Sequence, residues 1–269
     1  MKKLKVYILN LDRHKDRLAH VVDDLQGHDL PWDRFPAIDG VKVGDEYLDT
    51  IIKRTGPIPR MTRAARACTA GQIQILSHFL QTDDDYVLIL EDDVELASDF
   101  GDRVRELLSA ADYDILNLNR QPTRSSKKRV VVKSKITLQA GDMAIHDLVG
   151  VHYGAAGYIV GRQAAGVIVD LYGHPDIPID HILFNPNVSK LFGRLRIQQL
   201  FPALVQPRTG LVSSIQNEPV AEATKFHRKL QRAWTEVAIA PRLLMGTLIG
   251  FYMVKELSFG GARSAGKPK

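Results

Sequence analysis

The stretch Tyr86-Val87-Leu88-Ile89-Leu90-Glu91-Asp92-Asp93-Val94-Glu95-Leu96 decides the fold. Five apolar or aromatic residues run directly into three acids, after which apolar residues resume. A short apolar run of this kind, bounded by polar residues, reads as a buried strand, usually of a parallel sheet. The acids then sit where the strand leaves the sheet, and the carboxyl ends of strands are where ligands bind in open α/β sheets. Three adjacent carboxylates repel one another unless a positive group sits among them. A divalent cation answers that need, because Mg²⁺ or Mn²⁺ takes one or two protein carboxylates and completes its shell with water and substrate phosphates. The other reading is an acidic strand-end turn that water solvates.

Outward from this strand, the chain alternates strand and helix signals. Leu4 to Leu9 reads as the first strand, ending in Asn10-Leu11-Asp12-Arg13. Leu18, Val21, Val22 and Leu25 follow at helical spacing, with Gly27 as a stop. Arg13 and Arg17 fall in the first turn of that helix, where the helix dipole disfavours cations unless an anion is bound nearby. They are read either as anion contacts or as partners of Asp12 and Asp16. Phe35-Pro36-Ala37-Ile38 is a second, short strand closed by an Asp39-Gly40 turn. The polar stretch beyond it, with Pro57 and Pro59, is expected to be loop. Arg60 to Gln81 reads as a helix with Ile73, Leu76 and Leu80 on one face, and Asp83-Asp84-Asp85 as the exposed turn before the central strand.

After the acids, Ser98-Asp99 is placed to cap a helix reaching about Leu108, and Asp112 to Leu118 is a strand. Arg120 to Lys135 is polar and basic and is expected to be a mobile surface loop. Gly154 to Gly161 is a small-residue strand, followed by a helix with Ala164, Val167, Ile168 and Leu171 on one face and Gly173-His174-Pro175 at its end. Ile177-Pro178-Ile179-Asp180-His181 then places an acid and an imidazole after a proline turn. No repeat at a fixed period is evident.

Composition narrows the classes. With 45% hydrophobic and 25% charged residues, the 269-residue chain is an ordinary globular protein. The single cysteine, Cys68, rules out an internal disulfide, and Cys and His show no zinc spacing. The basic and apolar start, Met1 to Asn10, is too short in its apolar part for a signal peptide, so cytoplasmic residence is the default expectation. Net charge is +5, but from Ala221 onward nine Lys/Arg face three Glu, which leaves the first 220 residues near neutral. A basic tail without a stripe of interleaved aromatics argues against nucleic-acid binding.

That tail has its own pattern. Leu243 to Val254 is uncharged over 12 residues, too short for a span of about 20. Lys225, Arg228, Lys229 and Arg232 precede it, Trp234 stands at its edge and Lys255 follows. This is the composition of an interfacial membrane anchor, peripheral on the inner membrane through 225–255; a core helix packed on the α/β domain is the alternative. The expected organisation is therefore a catalytic domain over 1–218, a basic and apolar helical segment over 219–259, and a disordered tail over 260–269.

In order along the chain, Val6 to Asp12 followed by Arg17, Ala37-Ile38-Asp39-Gly40, Leu88 to Val94, Gly157 to Val160 and Pro178-Ile179-Asp180 resemble glycosyltransferase family 25 over about residues 4 to 215. That family includes bacterial lipopolysaccharide galactosyltransferases and collagen galactosyltransferases. The resemblance implies an α/β, GT-A (Rossmann-like) glycosyltransferase fold with a mostly parallel central sheet flanked by helices. It implies a UDP-sugar donor with galactose favoured, a glycan or glycolipid acceptor, Mn²⁺ or Mg²⁺, and inversion at the anomeric carbon. It implies a DxD-like role for the acidic block. Asp93 and Glu91 would hold the metal, and Asn10, Arg13, Arg17, Asp39, Gly40, Glu91 and Asp92 would bind the donor. Asp180 would be the general base, with His181 as its neighbouring alternative.

The chain departs from the family in one segment. Where the family has Cys-x-x-Ser-His, alignment by distance to Glu91 places Cys68, Gly71 and Gln72, while Ser77-His78 lies six residues further on. Two rival functions follow. The chain could be an inactive, divergent member serving as a membrane-surface glycan- or partner-binding module. It could also be another nucleotide-sugar or nucleotidyl-transfer enzyme, a reading weakened because no Gly-rich phosphate loop follows Leu9.

Overall fold

The structure is a computed structural model and describes residues 2–53, 56–57, 61–121, 129–208, 210 and 241–260. Its elements are β1 (Leu4–Asn10), α1 (Lys15–Leu25), β2 (Trp32–Pro36), α2 (Asp45–Ile51), α3 (Arg63–Phe79), β3 (Tyr86–Glu91), β4 (Val94–Leu96), α4 (Phe100–Ala110), β5 (Ile115–Asn117), β6 (Arg129–Ala140), β7 (Met143–Leu148), β8 (Gly157–Gly161), α5 (Arg162–Tyr172), α6 (Ile179–Phe184), β9 (Ile197–Phe201), β10 (Val205–Pro207) and β11 (Tyr252–Glu256). One nine-stranded sheet runs in the order β11-β6-β7-β9-β5-β8-β3-β1-β2, and β10 and β4 make a separate pair.

The central strand is β3, as its sequence requires. Its apolar residues are buried on both faces, which is why it carries no alternation. Val87 and Ile89 pack with Tyr7 and Leu9 against α3, α5 and α6. Tyr86, Leu88 and Leu90 pack with Val6 and Ile8 against α1 and α4. Burying side chains of this size stabilises the fold by roughly 1.5–3 kcal/mol each before entropy is counted. The sheet is mixed. The pairings β1·β2, β1·β3 and β5·β9 are parallel, and the parallel character expected of the GT-A layout is strongest in the half that carries the acidic block. Around it, β8 lies antiparallel to both β3 and β5, and β6, β7, β9 and β11 pair antiparallel.

Several expectations are corrected. The second strand lies three residues earlier than Phe35 to Ile38, because Trp32 is the residue that pairs with Val6 and Ala37 closes the ladder by donating to the Asn10 carbonyl. Part of the expected loop is α2, with acids in its first turn and Leu48 and Ile52 buried. The long α3 begins after Thr62, whose side chain accepts from the Ala65 N–H. Asp99 does precede α4, yet it makes no capping bond; its carboxylate is drawn to Arg103 instead, at 2.7 Å.

The basic segment expected as a surface loop is, from Arg129 on, the long edge-side strand β6; residues 122–128 lie outside the described residues. One face of that strand is open, so Lys133 and Lys135 remain in water and its polarity is compatible with pairing. The tail departs most. Residues 241–248 are helical, but β11 then joins the sheet by pairing with β6. The boundary expected at 218, the basic run up to Arg232 and residues 261–269 lie outside the described residues.

Candidate active site

Parallel pairing of β1 with β3 puts Leu9 opposite Glu91, so the two strands end side by side. The residues that follow them therefore meet although 82 positions separate them. The Asn10 amide donates to Asp92 Oδ2 at 2.8 Å and to the His14 carbonyl at 2.8 Å, which fixes the turn into α1 over the acidic block. From that turn His14 Nδ1 stands 3.6 Å from Asp92 Oδ2. From the first turn of α1, Arg17 Nη1 lies 3.5 Å from Asp92 Oδ1 and 3.8 Å from Asp93 Oδ2. The protein thus places its own cation beside two of the three acids, Asp92 and Asp93, in the first turn of a helix, whose N-terminus favours anions.

The two arginines do not pair with Asp12 and Asp16. Arg13 precedes the helix and pairs with Asp39 across the cleft. Asp12 is engaged by Arg34, which also donates to Asn10 Oδ1 at 2.9 Å. Asp39 organises its own turn, accepting from the Val41 N–H on the side chain and from Lys42 and Val43 on the carbonyl. Gly40 is required there: a Cβ would come within 2.8 Å of the Arg63 carbonyl oxygen, so only glycine lets the turn lie on the start of α3.

Arg13, Arg17, Asp39, Gly40, Glu91, Asp92 and Asp93 all line one cleft, whose apolar wall includes Leu9, Ile38 and Ala64. Asn10 stands behind it, buried, as a support for Asp92. Asp180 belongs to a different element and is not part of that lining. It sits at the start of α6, half-buried, with Oδ2 accepting from the Gly154 N–H at 3.1 Å and Oδ1 from the His181 N–H at 3.0 Å. It is close enough for its charge to act on Glu91, Cys68 and His152. The neighbouring His181 is buried, with Nδ1 2.7 Å from the Asn185 amide nitrogen.

Sequence reasoning missed the support beneath Glu91. The Gln72 amide donates to Glu91 Oε1 at 3.2 Å, and the Tyr158 hydroxyl donates to Gln72 Oε1 at 2.6 Å. Cys68 Sγ is 3.6 Å from the same Glu91 oxygen. Cys68 and Gln72 are one helical turn apart on α3, so the i, i+4 spacing was the available signal. Gln72 is thus the residue that touches the acidic block, while the His78 ring lies edge-on to Tyr7.

The charges are unbalanced in a specific way. Burial, and then the Asp93 and Asp92 carboxylates, push Glu91 up to about 8. Burial and Asp92 also raise Asp93, with Arg17 opposing. Burial followed by the Arg17 charge lowers His14, so it adds little positive charge at neutral pH. Burial and then Glu91 raise Cys68 well above its usual value, which keeps it a thiol and removes it as a nucleophile. Among the described residues the three carboxylates of the block share the cleft with Arg17 and with Arg13, which is paired to Asp39.

Among the described residues no three His, Cys, Asp or Glu side chains form a metal cage. Mg²⁺ or Mn²⁺ needs none, since one or two carboxylates and the phosphates of a substrate complete its shell. The hard oxygens of Asp93 and Asp92 fit such an ion. Glu91 fits it through its second oxygen, the first being held by Gln72.

The model of Glycosyltransferase family 25 (LPS biosynthesis protein) matches residues 3–183. A Glycosyltransferase 25 family member of Aedes aegypti is 26% identical over 201 residues, which are 68% of this chain and 32% of that protein. The lacto-N-neotetraose biosynthesis glycosyltransferase LgtE of Neisseria gonorrhoeae is 22% identical over 169 residues, 62% of this chain and 60% of that one. The chain thus spans about a third of the insect relative. Among solved structures, the inositol-1-phosphate CTP transferase from T. maritima overlays with a TM-score of 0.45 at 7% identity over 86% of this chain and 96% of that one, a likeness too remote to speak to chemistry.

Proposed function

The chain belongs to glycosyltransferase family 25, and from that premise we propose that it is a metal-dependent, inverting transferase. In this reading it moves a sugar, galactose by preference, from a UDP-sugar to a surface-glycan acceptor such as a lipopolysaccharide oligosaccharide, and it works in the cytoplasm. One observation carries the reading: Arg13, Arg17, Asp39, Glu91, Asp92 and Asp93 converge on a single cleft at the carboxyl ends of β1 and β3.

The division of labour follows from that geometry. Asp93 and Glu91 hold the ion; when bound, it neutralises charge on the diphosphate leaving group. Arg17 and Arg13 add fixed positive charge beside the same diphosphate, and the Asp39–Gly40 turn closes over the nucleoside end. Asp180 accepts the proton of the acceptor hydroxyl as that oxygen bonds to the anomeric carbon and the bond to UDP breaks. Its two backbone N–H partners keep the carboxylate oriented. Replacement of the family's histidine was the ground for an inactive alternative. The Gln72 contact with Glu91 weakens it, because the position still supports the acidic block.

The test is thermal stabilisation and turnover across UDP-, GDP- and CMP-sugars, each with and without Mn²⁺. A UDP-sugar should stabilise the protein and be consumed, and only with the cation. Asp93→Ala should lower turnover by roughly 10²–10³, the size of a lost electrostatic contact to developing charge, with the melting temperature retained. Neither binding nor hydrolysis of any UDP-sugar would sink the reading, and an undiminished Asp93→Ala enzyme would remove Asp93 from the metal role.

A further inference from the structure

Residues 241–248 are helical, Gly250 turns the chain at φ +76°, and β11 then adds to the sheet along β6. A Cβ on Gly246 would collide with the Tyr252 ring, so helix and strand pack as one unit only because position 246 has no side chain. The transfer reaction does not use this unit, and among the described residues nothing pairs with the outer side of β11.

The register says which backbone groups are left over. In an antiparallel ladder, residues bonded to the neighbouring strand alternate with residues whose N–H and C=O point away from it. The Ser134 N–H donates to the Phe251 carbonyl, and Tyr252 lies opposite Lys133. The backbone of Phe251, Met253 and Lys255 is therefore turned to β6, and that of Tyr252, Val254 and Glu256 presents its N–H and C=O groups at the open edge. Proteins blunt such edges with charge or proline. The opposite edge of the sheet, β2, does so with Asp33, Arg34 and Pro36. β11 has no proline, and Val254, at its centre, is 57% exposed.

Beside this edge Leu244, Met245, Leu248, Ile249 and Phe251 are each between 61% and 73% exposed, a concentration of apolar surface that marks a contact. The exposed charges next to them balance, Arg242 against Glu256, while Lys255 is engaged 4.5 Å over the Phe201 ring. A lipid surface would cover the side chains but leave the edge N–H and C=O groups unpaired. Another strand answers both needs.

A second copy of β11 fits about a two-fold axis at Val254. Antiparallel pairing centred there sets Val254 against Val254, Tyr252 against Glu256 of the other copy, and Met253 against Lys255 of the other copy. Every outward N–H and C=O group is then paired, and no charge meets its like. An axis at Lys255 or Glu256 would instead oppose two lysines or two glutamates. Tyr252, Val254 and Glu256 also share the sheet face that carries the helix, so the axis brings both helices onto one face beside the paired strands. We infer that β11 and the helix over 241–248 form a dimer interface, in which two copies of the chain join their sheets edge to edge. This inference stands whether or not the transfer reading holds.

The experiment is sedimentation velocity of the full chain over a concentration series, with amide hydrogen exchange by NMR on the same samples. A dimer should form as concentration rises. Exchange at Tyr252, Val254 and Glu256 should slow with it, while Met253 and Lys255 are slow throughout. Val254→Pro removes the central outward N–H and spares the bonds to β6, so it should raise the dimer dissociation constant at least about tenfold. Leu248→Asp, at an exposed helix position, should weaken the dimer too and leaves the strand untouched. Unchanged far-UV circular dichroism guards both variants against misfolding. A chain that stays monomeric at every concentration overturns the proposal, whether or not it pellets with lipid vesicles. So does a dimer that either variant leaves intact, and so does one whose Tyr252, Val254 and Glu256 amides exchange alike at all concentrations.

Discussion

At the scale of single residues, the site is a set of carboxylates with different surroundings and therefore different tasks. Asp92 is tied to Asn10, His14 and Arg17. Glu91 is held by Gln72 and pushed up to about 8 by burial and its acidic neighbours. Asp93 has Arg17 at 3.8 Å and faces the cleft. Asp180 is set apart, half-buried on α6 with two backbone N–H donors. As the proposed base, Asp180 stands on a different element from the carboxylates proposed to hold the ion. The variant Asp180→Asn keeps an oxygen to accept one of those N–H groups but cannot take a proton. Its kcat should fall by about 10²–10⁴, the usual worth of general-base catalysis, with the donor KM little changed. If instead kcat stays within a few-fold while the melting temperature drops, Asp180 is a structural turn acid and nothing more.

At the scale of elements, the cleft depends on how closely the Asp39–Gly40 turn can sit on α3. The Gly40→Ala methyl would meet the Arg63 backbone carbonyl at 2.8 Å, and backbone cannot rotate out of the way. The turn must lift, at a cost of about 1–3 kcal/mol typical of overpacking. The same shift moves Asp39 away from Arg13. Urea unfolding should show the lost stability, and titration with UDP should show weakened binding; wild-type values in both would mean the turn has slack the structure does not show.

The elements also show what a sequence displays and what it hides. Long helices such as α1, α3 and α5, and the doubly buried β3, were legible because burial imposes a period or an unbroken apolar run. So were most of the cleft residues, which follow directly on strand ends. The basic strand β6 was not, since an edge-side strand with one open face tolerates Lys133 and Lys135, and its charge read as loop. Nor was Gln72 beneath Glu91: the i, i+4 spacing puts Cys68 and Gln72 on one helix face, but nothing local says that this face meets a strand end 19 residues further on.

At the scale of the whole molecule, the sheet, the loop over 150–156 and α6 converge on one buried imidazole whose charge state the fold constrains. His152 is 3% exposed, with its ring edge-on to Phe184 and its backbone N–H donating to the Phe184 carbonyl. Neither ring nitrogen has a partner at hydrogen-bonding geometry. Burial lowers its pKa from 6.5 to about 4, although the Asp180 charge and the nearby Gly154 and Asn119 backbone favour the proton. In the unfolded chain the same group titrates near its ordinary value, about 6.5. The folded pKa is thus the lower of the two, so on acidification the unfolded state takes up the proton first. The contribution is fully present above about pH 6.5 and is lost as pH falls toward about 4. At about 1.4 kcal/mol per pKa unit, the loss should approach 3 kcal/mol. His152→Phe removes the titrating group while keeping a ring against Phe184. Stability measured by denaturant unfolding between pH 7.5 and pH 4 should therefore fall less steeply in the variant, by about that amount. Parallel curves for the two proteins would mean that His152 binds its proton alike in the folded and unfolded chain, so that burial does not depress its pKa.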